Sequence, residues 1–233
     1  DSSLTLATIE SIGRLKCVNK YDIMSNFAKW LLYEEFTANG RVFDVGETTR
    51  RAILRYKAGW ALGTCGGDHK MDNGNGALMR ILPMIFCGGM GEALSVAQLT
   101  HRHEISNYAC VMYLCTAAAI MNGKKKEVAV AEGDMCACIG ARKQLTKHYG
   151  EISKMQRDEV KSTGYVVDTL EAALWCLLKT DNYKDCVLTA VNLGGDTDTI
   201  AAVAVGLAGI VYGVGGEKGI PTEWIDQIAR KEY

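Results

Sequence analysis

Apolar residues recur at steps of three and four along most of this chain. That rhythm predicts helices over 3–16, 22–36, 47–58, 77–88, 92–101, 105–121, 127–147, 166–179, 183–191, 198–212 and 222–230, because positions i, i+3 and i+4 share one helix face. Leu4, Leu6, Ala7, Ile9 and Ile12 begin the first of these stripes. Only two prolines, Pro83 and Pro221, interrupt the 233 residues. Strand-like alternation is scarce, and its best candidate, Gly40 to Val45, reads as an extended loop. The pattern predicts an all-α domain.

Polar residues break this rhythm most sharply at Gly194-Gly195-Asp196-Thr197-Asp198-Thr199, directly before the apolar run from Ile200. One Asp or Thr satisfies the free N–H groups of a helix's first turn, so a second carboxylate in the same turn is surplus to capping. Oxygen donors at this density also suit a hard cation such as Mg²⁺ or Mn²⁺. Spacing alone leaves capping and cation ligation both open. Within the helix that follows, Ala202, Gly206, Gly209 and Gly213 lie on one face. Each glycine costs about 1 kcal/mol relative to Ala, so the stripe predicts a second backbone packed closely against it. A membrane span is rejected, because the run from Ile200 to Val214 falls short of the ~20 residues a bilayer requires and begins at charges.

The length and the 48% apolar content suit one domain with a sizeable core, without a Pro/Ser-rich linker. A net charge of −1 leaves no footprint for nucleic acid or an anionic membrane, and Lys124-Lys125-Lys126 reads as a solvated loop. The nine cysteines are odd in number, most of them sit among apolar residues, and no spaced pair of CxxC motifs suggests zinc. Free thiols in a reducing cytoplasm are expected. Cys136, Cys138, His69 and His148 are assigned to core or surface.

Two further loops are rich in Gly, Asn and Asp: Asp44 to Thr49, with Glu47 and Thr48 as candidate helix caps, and Gly66 to Gly76. Glycines let backbone approach a ligand, and N–H groups at a helix start bind anions; a plain turn has the same composition. Taken in order, the motifs resemble the ADP-ribosylglycohydrolase family. Gly194 to Thr199 with Ala201, Ala202 and Gly206 is similar to its late metal motif. Asn73 to Arg80 with Pro83 is similar to its ADP-ribose loop, Thr100-His101 with His103 to its Thr-His motif, and Gly164 to Leu170 with Ala172, Ala173 and Trp175 to the segment before the last metal loop. Asp1-Ser2-Ser3 resembles the end of a Thr-Asp-Asp-Ser/Thr motif. The Thr and Asp that precede it in the family, and an earlier Gly-Asp-rich helix that supplies a catalytic glutamate in part of the family, do not occur here. An N-terminally truncated domain over residues 1–233 is therefore expected.

The resemblance implies a single compact orthogonal helical bundle with a central metal and ligand cleft. Two divalent cations, Mg²⁺ or Mn²⁺, would be held by Asp1, Asp196, Asp198 and Thr199, with Asp198 also catalytic. Substrate would be bound by Asp44, Gly46, Asn73, Gly74, Asn75, Gly76, His101 and Tyr165, the last by stacking on adenine. The implied reaction is hydrolysis of the bond between ADP-ribose and an acceptor, either an ADP-ribosylated protein side chain such as arginine or a small molecule, by a cytoplasmic monomer. The alternative is a non-catalytic ADP-ribose binder or a crystallin-like structural relative. A metal-dependent phosphoesterase would need a cage that four scattered histidines do not assemble.

Overall fold

The computed structural model describes residues 1–137 and 151–229. The helical rhythm is realised as α1 (Ser2–Leu15), α2 (Lys20–Tyr33), α3 (Glu47–Lys57), the short α4 (Leu62–Cys65), α5 (Met90–Ala97), α6 (Glu104–Met121), α7 (Lys126–Cys136), α8 (Val166–Lys179), α9 (Tyr183–Val191), α10 (Thr197–Tyr212) and α11 (Thr222–Asp226). Side-chain caps fix several starts. Asn19 accepts from the N–H groups of Tyr21 and Asp22, His103 from that of Ile105, and Asn182 from that of Asp185. No strand occurs among the described residues, only isolated bridges such as Gly74 to Tyr165 and Gly67 to His101. Gly40 to Val45 is accordingly a loop.

The core is centred on α6, which packs against α5, α7, α8 and α10. This helix has the 18-residue length and the mean hydropathy of 1.2 that could cross a membrane. Its burial on Ala109, Cys110, Met112, Tyr113, Leu114 and Ala117 assigns it to the protein interior instead. At the other end of the molecule Asn26 Nδ2 ties α2 to α1 through the Ala7 carbonyl at 3.1 Å and Glu10 Oε2 at 2.8 Å.

Some expectations change. The helix predicted over 77–88 is two 3₁₀ turns, Leu78–Arg80 and Leu82–Phe86. Pro83 has no N–H to donate, and its ring would clash with the carbonyl four residues earlier in an α-helix. The helix predicted over 127–147 ends at Cys136 as far as it is described, and 138–147 lie outside the described residues, as do Cys138 and His148. Neither Glu47 nor Thr48 caps α3, whose N-cap is Gly46. The glycine stripe of α10 meets side chains rather than a second backbone. A Cβ on Gly206 would lie 2.7 Å from Tyr113 Oη, and that hydroxyl donates to the Val203 carbonyl at 2.9 Å. Gly209 has ordinary room, and Gly213 ends the helix at φ +68°.

Candidate active site

Helix ends and loops from across the chain converge on a cleft of about 730 Å³, within the range typical of small-molecule sites. Its walls include Asp1, Asp44, Gly46, Gly74, Asn75, Gly76, His101, Asp196, Asp198 and Thr199. The start of α1 and the start of α10 therefore meet, although 195 positions separate Asp1 from Asp196. Asp198, Asp44 and Asp196 all act electrostatically on the start of α1 at Asp1, so four groups of the cleft share one electrostatic neighbourhood.

Capping does not occupy the acidic side chains. Asp1 and Asp196 are the N-cap residues of α1 and α10, yet neither makes a side-chain cap bond. Asp196 Oδ2 instead accepts from Asn75 Nδ2 at 2.7 Å, and the same amide donates to Thr169 Oγ1 at 2.9 Å. Gly195 makes this approach possible. At φ +69° a Cβ there would fall 2.0 Å from the Ser162 carbonyl oxygen, so the bend that aims Asp196 requires a glycine.

The Gly-Asn loop is pinned to the start of α8 by two backbone bonds, Asn75 N–H to the Gly164 carbonyl at 3.0 Å and Val166 N–H to the Asn73 carbonyl at 2.9 Å. Glycine at position 76 is needed for space. A Cβ would lie 2.8 Å from both His101 Cε1 and Thr49 Oγ1. Among the described residues the N–H groups of Gly74 and Gly76 have no protein acceptor, which leaves two donors at the cleft wall.

Beneath this loop lies a cationic layer. Arg80 is fully buried without a carboxylate partner and stacks 4.7 Å over the Phe27 ring. Burial pulls its guanidinium down to about 10. Burial, then the Arg80 charge, pushes His101 down to about 3, against a raising pull from Asp72, so the imidazole is neutral at pH 7. Asp72 is pushed up by burial, but the His69 N–H, Arg51 and Thr48 together hold it below the ordinary carboxylate range.

The ADP-ribosylglycohydrolase family model matches residues 1–233. The chain belongs to this family. ADP-ribosylglycohydrolases are generally dependent on divalent metals. Among curated relatives, the chain is 34% identical over 214 residues to an ADP-ribosylarginine hydrolase Tri1 of Pseudomonas putida (strain GB-1), covering 88% of this chain and 55% of that protein. It is 33% identical to an ADP-ribosylarginine hydrolase Tri1 of Serratia proteamaculans (strain 568), covering all of this chain and 63% of the relative. An ADP-ribosyl-dinitrogen reductase glycohydrolase of Rhodospirillum rubrum is 31% identical over 99% of this chain and 73% of its own length. The chain thus spans less than two thirds of the two arginine hydrolases. A solved structure described as an ADP-ribosylglycohydrolase-related protein complex superposes with a TM-score of 0.76 at 26% identity, over 99% of this chain and 75% of that one.

Within this family member, two residues expected to bind substrate stand elsewhere. Asn73 does not line the cleft: its carboxamide is buried, donating to the Lys70 carbonyl and accepting from Ser106 N–H and Oγ, with Nδ2 3.0 Å from His103 Nδ1. It locks the loop to the start of α6. Tyr165 is also absent from the lining and sits at the start of α8, 37% exposed. The Asn75 N–H and amide, expected to bind substrate, are engaged by Gly164, Thr169 and Asp196. Residues not foreseen include Thr48, Thr49, Arg41, Phe43 and Met71 in the walls. Phe43 and Met71 are large apolar side chains 88% and 79% exposed at the cleft, a feature no periodicity could flag. No group of three His, Cys, Asp or Glu that could hold a metal by itself is found among the described residues. The acidic end nonetheless offers hard oxygen donors, Asp1, Asp196, Asp198 and Thr199, in one cleft, and that donor type fits Mg²⁺ or Mn²⁺.

Proposed function

We propose that residues 1–233 form one domain of a metal-dependent hydrolase that releases ADP-ribose from ADP-ribosylated arginine on a protein. The observation that carries this reading is the meeting of Asp1, Asp196, Asp198 and Thr199 in one cleft with the glycine loop and His101. Curated relatives named as ADP-ribosylarginine hydrolases support the linkage. The cations would be held by Asp1, Asp196, Asp198 and Thr199, and when bound would supply Lewis-acid polarisation and a lowered water pKa.

The chain's own groups do the rest. The Gly74 and Gly76 N–H groups, with neutral His101 behind them, receive the anionic diphosphate. Asp44 and Gly46 line the same cleft beside the ribose. The Asn75 amide, braced by Thr169, keeps the Asp196 carboxylate turned inward. Asp198 takes a proton from the attacking water as its oxygen bonds to the anomeric carbon. The carbon–nitrogen bond breaks, and the guanidine leaves with the proton returned to it. Anionic oxygens around the ribose stabilise the oxocarbenium-like charge that develops between these events. Arg41, Phe43 and Met71 at the cleft offer an apolar and basic surface to the acceptor protein. Among the described residues no disulfide occurs, which suits a reducing compartment, and we propose a monomer acting in the cytoplasm.

The test is incubation with an ADP-ribosyl-arginine protein and added Mg²⁺ or Mn²⁺, with free ADP-ribose quantified. Metal-dependent release is the expected outcome. Tight ADP-ribose binding with no release under either metal would replace the hydrolase with a binding protein, and absence of both would remove ADP-ribose as the ligand.

A further inference from the structure

We infer that Thr100, itself oriented by Arg80, is a positioning residue that fixes His101 as the Nε2–H tautomer, so that the imidazole presents an N–H donor to an anionic oxygen at the glycine loop. The naming of that oxygen as a diphosphate oxygen rests on the proposed function; the tautomer does not.

The argument runs along three contacts. Arg80 NH2 donates to Thr100 Oγ1 at 2.8 Å, and to the carbonyls of Val96 at 3.2 Å and Ala97 at 3.4 Å. A guanidinium has only donors, so the hydroxyl oxygen must accept. Thr100 Oγ1 also lies 2.9 Å from His101 Nδ1. If Nδ1 carried a proton, the hydroxyl would accept twice and its own hydrogen would need another acceptor. Thr100 is 0% exposed, and among the described residues the hydroxyl has no other partner. A buried orphan donor is costly, so the hydroxyl donates to Nδ1 and the ring proton resides on Nε2.

The other edge of the ring faces the loop. Nε2 would be 3.6 Å from a Cβ on Gly74 and 3.4 Å from one on Gly76. It has no protein partner among the described residues, although His101 is only 2% exposed and belongs to the cleft wall. The charge on Arg80 and the burial of the ring both disfavour imidazolium, with Asp72 the opposing group. An N–H of fixed direction thus joins those of Gly74 and Gly76. Arg80 also keeps Nε and NH1 without partners in a buried setting, a cost to the fold that an oriented hydroxyl and a positive potential behind an anion site would offset.

The test is nitrogen-15 NMR of the His101 imidazole at pH 7.5 in the ligand-free protein, wild type against Thr100→Val and Thr100→Ser, alongside calorimetric titration with ADP-ribose. Circular dichroism checks that each variant folds. Wild type is expected to show a pyridine-like Nδ1 and a protonated Nε2. Thr100→Val should lose that single-tautomer signature and bind ADP-ribose about tenfold more weakly, the scale of one hydrogen bond to a charged group; Thr100→Ser should restore both. A protonated Nδ1 in wild type, or an unchanged signature in a folded Thr100→Val protein, overturns the inference. Wild type that shows the tautomer but does not bind ADP-ribose strikes the proposed function alone.

Discussion

The two sides of the cleft are built in opposite ways. On one side Asp1, Asp196, Asp198 and Thr199 present oxygens of which, among the described residues, only the Asp196 carboxylate has a side-chain donor, from Asn75. On the other, Arg80, Thr100 and His101 form a buried chain of hydrogen bonds that is in place before any ligand arrives and leaves His101 Nε2 open toward the glycine loop. An acidic group without protein donors gains by binding a cation, whereas a buried relay gains by holding a direction. The acidic side is therefore where removal of a group should abolish chemistry, and the basic side where it should alter affinity and pH response.

The largest effect separates the two sides outright. Asp198→Asn keeps shape and hydrogen-bonding capacity but cannot take a proton at neutral pH. Metal-dependent release of ADP-ribose should fall by about 10⁴-fold, with the circular dichroism spectrum and melting temperature unchanged. Full turnover in this variant would transfer the chemistry away from the acidic side.

Next comes the pH response of the basic side. His101 stands at about 3 in the folded chain, against an ordinary value near 6.5. Above pH 6.5 it is neutral in both states and costs nothing. As pH falls below 6.5 the unfolded chain takes up a proton that the folded chain refuses, so stability is lost from there down to about pH 3. Between pH 6.5 and 4.5, above most carboxylate titrations, the loss should be on the order of 2 to 3 kcal/mol. Urea melts across that window for wild type and His101→Gln should differ in slope by this amount; equal slopes would show that the ring is not held neutral.

Asn75 joins the two sides, and its substitution sharpens the contrast. Asn75→Ala removes donors to Thr169 and to the Asp196 carboxylate. A loss of about 1 to 2 kcal/mol in stability is expected, together with weaker Mn²⁺ binding as the Asp196 carboxylate loses its orientation. Calorimetric Mn²⁺ titration of the two proteins measures the second effect. Unchanged metal affinity would confine Asn75 to a structural role.

What could be read in the sequence follows this same division. Periodicity locates α8 and α9 to the residue and most other helices within a turn, although α8 is buried all round from Val166 to Leu177 while α9 buries only Cys186 and Ala190. It failed at 77–88, where Pro83 and the inward Arg80 override a sound apolar spacing. The acidic cluster is conspicuous because two carboxylates in one turn exceed what a cap needs, and in the fold neither N-cap aspartate makes a side-chain cap bond. The relay was invisible. An arginine in sequence announces surface charge, and nothing in the spacing of Arg80, Thr100 and His101 indicates that they are buried together. Asn73 and Asn75 look alike in a Gly-Asn run, and two residues apart in a strand they would share a face, yet one faces the core and the other the acidic side, because Asn73 ends a 3₁₀ turn at φ −91°, ψ 42° rather than lying in extended chain.

The smallest expected effect concerns Tyr165, which lies outside the cleft lining but beside the glycine loop. Tyr165 is held at the start of α8 by its N–H bond to Thr163 Oγ1, and the Gly74 to Tyr165 bridge sets it beside the glycine loop. A ring in that place would stack on the base of an ADP-ribose whose diphosphate meets Gly74 and Gly76. Because it is about one third exposed, stacking there should contribute only about 1 kcal/mol. Tyr165→Ala is expected to weaken ADP-ribose binding about fivefold, and Tyr165→Phe should leave it unchanged. Ribose 5-phosphate, which lacks the base, should bind wild type and Tyr165→Ala equally. A matching loss for both ligands would place the defect in the loop rather than in base stacking, and would return Tyr165 to the scaffold.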